Sequence, residues 1–448
     1  MVKDKQFYKQ ILALSLPAAF QSALSLLVVM ADNVMVTRTG AYALSAVAQS
    51  NAITTFVTAG LNGLATGAVV LISQYWGKRD MKRIKTICSV AAAACLLFAV
   101  LCIIAVRLFP RPLLRLVINA GETQVIDLAM QYLPIVAFSY LPYALTAAMV
   151  GMLKGVEVVR VTLYAALLSL ISNVIFNYIL IFGHLGLPAM GVTGAAIATV
   201  IGQFCGMFLG FILNQTRNHE LHLTLHPFFR PHGAVLTDIL AVGIPSVVMQ
   251  AISSVMNVLM NMILLGFGNV AVNVLGAYFK LQSFVFMPVF GLSNGLVAIV
   301  GYNYGAHLRE RVYAAVRVAL RMAIVIMAVG MLLFMTIPQV LLSLFEAEGA
   351  GDLTAVGCPA LRVISLSFIL AAVGITLGTV FQAVGKGVYS LINSLCRQLM
   401  VLLPAAWLLS RLGDLSAVWW SFPIAEVVSL AVCLLLYRRV DRTMLKTL

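Results

Sequence analysis

Asp32 lies in Val28-Val29-Met30-Ala31-Asp32-Asn33-Val34-Met35-Val36, a run that is otherwise almost entirely apolar. A carboxylate inside a bilayer costs about 3 kcal/mol even on the mildest scale, so an acid in such a run is a functional candidate by default. The plainer alternative is that Asp32, close to the end of its segment, reaches water at the outer surface. Further on, Ser172-Asn173-Val174-Ile175-Phe176-Asn177-Tyr178 sets Asn173 and Asn177 four apart, on one face of a helix. Thr199 stands a little over two turns into the apolar segment that opens at Gly191. A carboxylate, two amide oxygens and a hydroxyl at similar depth can hold a hard cation such as Na+. They can equally hold a protonated carboxyl by hydrogen bonding. The chemistry expected of Asp32, Asn173, Asn177 and Thr199 is the holding of a cation or of a proton.

A second group of residues has the spacing of a lining. Asn51, Thr55, Thr58, Asn62 and Thr66 fall on one helical face. A polar stripe of that length does not face lipid; it lines water or bonds to a neighbouring helix. Gln250, Ser254, Asn257 and Asn261 form a similar face later in the chain, surrounded by Met249, Met256, Met260 and Met262. Methionine adapts to varied shapes and also serves as simple filler. Phe279, Ser283, Phe286, Phe290 and Asn294 form a third stripe, with Lys280 beside it. Asn33, Asn51, Thr55, Asn62, Gln250, Asn257, Asn261, Lys280 and Phe286 are the candidate substrate-cavity residues. Arg397 and Glu426 are further charges within apolar segments, and Lys280–Glu426 is a conceivable pair.

The elements that must position these residues are membrane helices. The 448 residues are 62% hydrophobic and 10% charged, where a soluble domain is about 25% charged. Twelve apolar segments reach the roughly 20 residues that span a bilayer. They lie near 11–36, 51–74, 86–108, 130–152, 162–183, 191–213, 241–265, 277–303, 315–345, 357–380, 390–410 and 417–437. The stretch from Pro17 to Gly77 recurs without a gap 228 positions later, from Pro245 to Gly305. Pro17 falls on Pro245, Asn33 on Asn261, Gly40 on Gly268, Phe56 on Phe284, and Gly63 and Gly67 on Gly291 and Gly295. Asp32, however, falls on Met260. A repeat this long indicates a duplicated domain rather than a solenoid. The expected architecture is all-α and integral to the membrane, with twelve transmembrane helices in two pseudo-symmetric six-helix bundles: 1–215, then a cytoplasmic linker at 216–240, then 241–448. The paired glycines permit close helix approach, and spans 3 and 4 read as scaffold.

The net charge of +14 does not indicate a nucleic-acid partner. Alternating the loops across the membrane places most Lys and Arg on one side, densest at Lys78, Arg79, Lys82, Arg83 and Lys85, which sets that side as the inner one and both termini with it. The N-terminal apolar run is too long for a signal peptide. The seven cysteines fall almost entirely within spans, and Cys88, Cys95 and Cys102 read as packing residues. Four of the six histidines, His219, His222, His226 and His232, fall in the linker, without cysteine neighbours or ligand spacing.

With the repeat, Asp32 and the Asn173–Asn177 and Thr199 pattern in view, the chain resembles the multidrug and toxic compound extrusion (MATE) family over essentially its whole length. The resemblance rests on Asp32-Asn33-Val34-Met35-Val36 followed by Gly40, on Gly67 through Gln74-Tyr75-Trp76-Gly77, and on Asn173-x-x-x-Asn177-Tyr178-x-Leu180-Ile181-Phe182-Gly183. It continues in Gly191-x-x-Gly194-Ala195-Ala196-x-Ala198-Thr199, Phe381-Gln382-Ala383-x-Gly385-Lys386-Gly387 and Arg397-Gln398. It implies two six-helix bundles exporting bulky, often cationic compounds in exchange for H+ or Na+. It also implies that Asp32, Asn173 and Thr199 take family positions at the ion site, while Asn177 stands where the family has a carboxylate. Spans 7 and 10, acidic in some members, carry no carboxylate here, so Asp32 is nearly the only acidic carrier and one ion per cycle is favoured.

The function expected is secondary active efflux by alternating access, without a cofactor or catalysis. The expected setting is a bacterial or archaeal inner membrane, among its lipids, with a monomer plausible. A flippase for a lipid-linked saccharide or other amphiphile is the alternative. It calls for a more cationic cavity than Lys280 and Arg397 provide.

Overall fold

The structure, a computed structural model, describes residues 4–40, 42–118, 121–217, 233–343 and 353–448. Among these residues it is helical throughout, without a strand. Helices α1 (Asp4–Thr37), α2 (Ala43–Gly77), α3 (Met81–Leu108), α4 (Thr123–Gly155), α5 (Val159–Phe182) and α6 (Gly191–Arg217) cover the first half. The second half holds α7 (Gly233–Leu265), α8 (Asn269–Gly305), α9 (Arg309–Thr336), α10 (Leu353–Ser365 and Phe368–Ala383), α11 (Gly387–Ser410) and α12 (Leu415–Leu445). Ten helices are long and apolar enough to cross a bilayer, the bent pair that makes α10 is an eleventh span, and α1, with 34 residues, occupies the place of the first. The protein is an all-α, multi-span membrane protein.

The span expected over 315–345 is shorter in the structure. Helix α9 ends at Thr336, and Pro338 opens a separate six-residue helix, Pro338–Ser343; proline lacks the N–H that would continue the previous helix. At the linker, α7 already begins at Gly233, and the four loop histidines lie outside the described residues.

The chain forms two compact units, whose limits do not coincide with the halves of the repeat. One comprises Phe20–Ile244; the other comprises Pro245–Leu448 together with the opening of α1 up to Ala19. Each unit thus takes in the first turns of the helix that opens the other half. The change-over falls beside Pro17 and at Pro245, both inside helices, where the backbone bond that proline cannot make leaves the helix easiest to redirect.

The paired glycines hold these exchanged segments. A Cβ on Gly67 would clash with the Ile239 carbonyl oxygen, and one on Gly243 would come within 2.8 Å of the Gly63 oxygen. In the other unit, a Cβ on Gly291 would meet the Ala19 backbone nitrogen at 2.8 Å, and one on Gly295 the Ser15 hydroxyl at 2.9 Å. Small residues let helix backbones approach this closely in a membrane.

The repeat extends to backbone conformation beyond the ungapped stretch. Positive φ occurs at Arg79 (57°) and His307 (57°), at Glu157 (65°) and Gly385 (81°), and at Leu185 (59°) and Gly413 (75°), each pair 228 apart. Ser139 and Ser367 are another such pair. The first donates to the Val136 carbonyl (2.6 Å) where α4 tightens into a 3₁₀ turn. The second donates to the Ile364 carbonyl (2.6 Å) at the 49° bend of α10. Side-chain hydroxyls that bond back to the helix in this way favour bending.

The two cores differ in filling. In the unit containing α2–α6, one buried cluster is mainly aliphatic, with Leu61, Ala92, Cys95, Leu133 and Ala144, and takes in Tyr132 and Tyr140. In the other, Tyr278, Phe334, Phe368, Phe381 and Trp419 are fully buried, and edge-to-face ring contacts run from Tyr278 to Phe334 to Phe368 to Phe286.

Candidate functional site

Helices α5 and α6 pack closely because α6 presents glycine along one side. A Cβ on Gly194 would lie 2.7 Å from the Leu180 carbonyl, one on Gly202 2.8 Å from the Ser169 carbonyl oxygen and 3.0 Å from the Asn173 Cβ, and one on Gly206 2.8 Å from the Ser169 Cβ. That packing brings Asn173 and Asn177 of α5 against Thr199 of α6. Asp32 of α1 completes the group, all within the same unit.

The Asn177 amide nitrogen donates to Asp32 Oδ1 at 2.6 Å. The Asn173 amide is satisfied with its nitrogen toward Asp32. With its nitrogen toward Asp32 it donates to Oδ1 and Oδ2 at 3.1 and 3.2 Å. The reverse setting would place its oxygen there, accepting from Asn177 at 3.2 Å and donating to Thr199 Oγ1 at 3.4 Å. Asn177 Oδ1 is buried and has no hydrogen-bond partner among the described residues.

These two settings suit two charge states. A bare carboxylate accepts from donors, so it favours amide nitrogens facing it. With the Asn173 oxygen facing Asp32, two acceptors oppose each other, and that contact needs a proton on Asp32 or a cation between them. The carboxylate, the two amide oxygens and the threonine hydroxyl fit either. Among the described residues, no three of His, Cys, Asp or Glu gather as a metal cluster would require.

Thr199 also donates to the Ala195 carbonyl at 3.0 Å and lies against the Tyr132 hydroxyl. Tyr132, on α4, donates to Asn51 Oδ1 at 3.3 Å. One helical face further along, Tyr143 donates to Asn62 Oδ1 at 3.0 Å, and Tyr140 shares a 3.1 Å hydrogen bond with Thr54. Adjacent polar groups therefore run from Asp32 through Asn177, Asn173, Thr199 and Tyr132 to Asn51 on α2. Span 4, read as scaffold, also carries tyrosines that bond to the α2 stripe, and Tyr132 stands between that stripe and Thr199. Tyrosines at 132, 140 and 143 were the available signal, since a buried phenol needs a partner.

Asn51, Thr55 and Asn62 of that stripe remain exposed, and Thr55 donates to the Asn51 carbonyl at 2.7 Å. The stripe serves in both of its expected ways, bonding to α4 while presenting polar groups. Asn33 is exposed beside Asp32. In the other unit, Gln250 and Lys280 are exposed and Asn261 is half-buried. Asn257 donates to the Ser253 carbonyl at 3.1 Å, and Phe286 is buried against Phe290 and Phe368. Glu426 pairs with Arg397, Nη1 to Oε1 3.5 Å, rather than with Lys280 as the sequence made conceivable.

Comparison with known proteins bears on the whole chain. "Multidrug export protein MepA" of Staphylococcus saprophyticus is 26% identical over 86% of this chain and 84% of its own length. "Probable multidrug resistance protein NorM" of Thermotoga maritima is 25% identical over 96% and 91%. A MATE crystal structure in complex with MaL6 superposes with a TM-score of 0.90 at 25% identity, covering 98% of this chain and 97% of that one. A MOP superfamily transporter from Pyrococcus furiosus shares the fold, with a TM-score of 0.89 at 24% identity over 97% and 96%. The MatE family model matches twice, at residues 17–179 and 245–408. Its two matches open at Pro17 and Pro245, the prolines that open the repeat, and together they take in most of the sequence: the chain belongs to the MatE family and is a MATE family transporter.

Proposed function

We propose that this protein is a secondary active efflux transporter that exports bulky, often cationic organic compounds in exchange for H+ or Na+. The observation that carries the reading is the closure of Asp32 by Asn177 and Asn173, next to Thr199. The names of the MepA and NorM relatives support the cargo class. The basic loops support an inner-membrane setting with both termini inside.

In the outward-open state Asp32 takes up the ion. Its neutralisation turns the Asn173 amide, which changes the bond to Thr199 and, through Tyr132, the hold on Asn51 and the α2 stripe. Cargo affinity falls and cargo leaves outward. The return to the inward-open state releases the ion to the inside and opens the cargo site to new compound. An ion can shift such an equilibrium only by binding one state more tightly, and the rotatable amide supplies two arrangements with unequal affinity. With a single carboxylate at this site, one ion moves per cycle.

The test is transport of a fluorescent organic cation in sealed vesicles, with proton and sodium gradients imposed separately, in wild type and Asp32→Asn. Uptake driven by one gradient and lost in the variant is expected, and it names the ion. Uptake unchanged in Asp32→Asn overturns the assignment of Asp32. A lipid flippase is less well supported, because Arg397 is neutralised by Glu426 and adds no net positive charge.

A further inference from the structure

The unit built on Pro245–Leu448 holds a charged pair close to the place in the repeat that corresponds to the Asp32 group. Arg397 lies in a π-helical turn of α11, Cys396–Leu402, and Glu426 lies on α12. In the repeat these helices correspond to α5 and α6, and Glu426 falls on Ala198, beside Thr199. Both charges line a cavity of about 240 Å³ together with Tyr278, Phe286, Phe422, Asn257, Gln282 and Gln398. π-Helical turns are uncommon and often mark functional positions.

The ion pair is loosely made. It rests on one contact of 3.5 Å, where a charge-assisted hydrogen bond is about 2.7–2.9 Å and Arg–carboxylate pairs are often bidentate. A guanidinium carries five donors, and among the described residues this is the only hydrogen bond it makes. Two opposite charges in reach of a cavity walled by rings and amides select a particular guest. A cation would leave the cavity with net positive charge, and an anion with net negative charge, at a depth where unbalanced charge is expensive. A molecule carrying both charges leaves it neutral, and completes the donors of Arg397 and the acceptors of Glu426 together. The volume lies below the roughly 300–1,000 Å³ of pockets for drug-sized ligands, which restricts the guest to a small molecule or the charged end of a longer one.

We propose that this cavity binds a small zwitterion carrying an aromatic ring, with its carboxylate on Arg397, its ammonium on Glu426 and its ring among Tyr278, Phe286 and Phe422. An aromatic α-amino acid is the simplest member of the class. The proposal does not depend on ion coupling at Asp32, because binding is read without a gradient.

Three probes share one ring and differ only in charge: phenylalanine, phenethylamine and hydrocinnamate. Calorimetric titration of the purified full-length protein in lipid nanodiscs compares them. Phenylalanine is expected to bind at least about tenfold more tightly than either analogue, a difference of about 1.4 kcal/mol. The double variant Arg397→Gln/Glu426→Gln is expected to lose that preference. It removes both charges at once and so leaves no unpaired charge that could itself unfold the protein; its helical content and melting temperature verify the fold. Equal binding of all three probes, binding of phenylalanine unchanged in the double variant, or no binding of phenylalanine up to its solubility limit each overturn the proposal.

Discussion

The two halves of this protein share a backbone and differ in chemistry. In the first, the half-buried acid sits on the opening helix and faces the amides of Asn177 and Asn173, next to Thr199. In the second, the same positions read Met260, Val401, Ala405 and Val427, and the charges have moved to Arg397 and Glu426. The contrast continues between α2 and α4. Asn51 and Asn62 accept from Tyr132 and Tyr143, whereas the matching positions of the second half are Phe279 and Phe290 opposite Ala360 and Ala371 in the repeat. A small amide with a large phenol has become a large ring with a small methyl. Roughly equal volume is the kind of exchange a packed interior tolerates best, and here it trades a hydrogen bond for an apolar surface. Duplication kept the packing rules and freed the polar positions to diverge.

The sharpest break of this comparison is at the acid itself. Asp32→Asn should reduce gradient-driven transport to background in vesicles while the melting temperature stays near wild type. Adding Met260→Asp to that variant should restore nothing, because Val401, Ala405 and Val427 cannot hydrogen-bond a carboxylate. Recovered transport in the double variant would mean that the halves are chemically interchangeable.

Next in size is a pair of glycine substitutions at matching positions. Gly67→Ala places a Cβ against the Ile239 backbone oxygen, whereas Gly295→Ala meets the Ser15 hydroxyl, a side chain that can rotate away. Overpacking costs about 1–3 kcal/mol, so Gly67→Ala should lower the thermal midpoint clearly more than Gly295→Ala. Equal losses would show that the exchanged segments can shift together.

A smaller effect is expected at Gly202→Ala, whose Cβ would press on Ser169 and Asn173. It should weaken ion dependence roughly tenfold, about 1.4 kcal/mol, in a transport titration while leaving helical content intact; an unchanged titration would separate α5–α6 spacing from ion affinity. The smallest effect belongs to the turns. Glu157 holds a positive φ that Gly385 holds in the second copy, so Glu157→Gly should stabilise by about 1 kcal/mol, and Gly385→Glu should destabilise by a similar amount in thermal melts.

Much of this arrangement was legible beforehand, and the rest was hidden for definable reasons. Asp32, Asn173, Asn177 and Thr199 could be grouped because helical spacing and depth are properties of the sequence alone. The twelve helices followed from hydropathy, and the glycine pairs from the repeat. What could not be read was which helix each face meets. Tyr132 and Tyr143 looked like ordinary aromatic residues until α4 was seen against α2. Glu426 could have reached either Lys280 or Arg397, and the π-helical turn that carries Arg397 has no sequence mark of its own. The rotatable amide of Asn173 is a matter of hydrogen-bond partners, which pattern alone does not supply.

The exchanged helix openings also bear on how the chain must be made. The first unit remains unfinished until the ribosome has produced Gly233–Ile244, since the first turns of α7 close against Gly63 and Gly67. The second unit, in turn, needs a segment synthesised at the very start. Biogenesis is therefore interlocked: the opening of α1 waits, unclaimed, until α8 with Gly291 and Gly295 has been made. Two separately expressed halves cut in the linker would each lack a piece carried by the other, so they should mature only when made in the same cell.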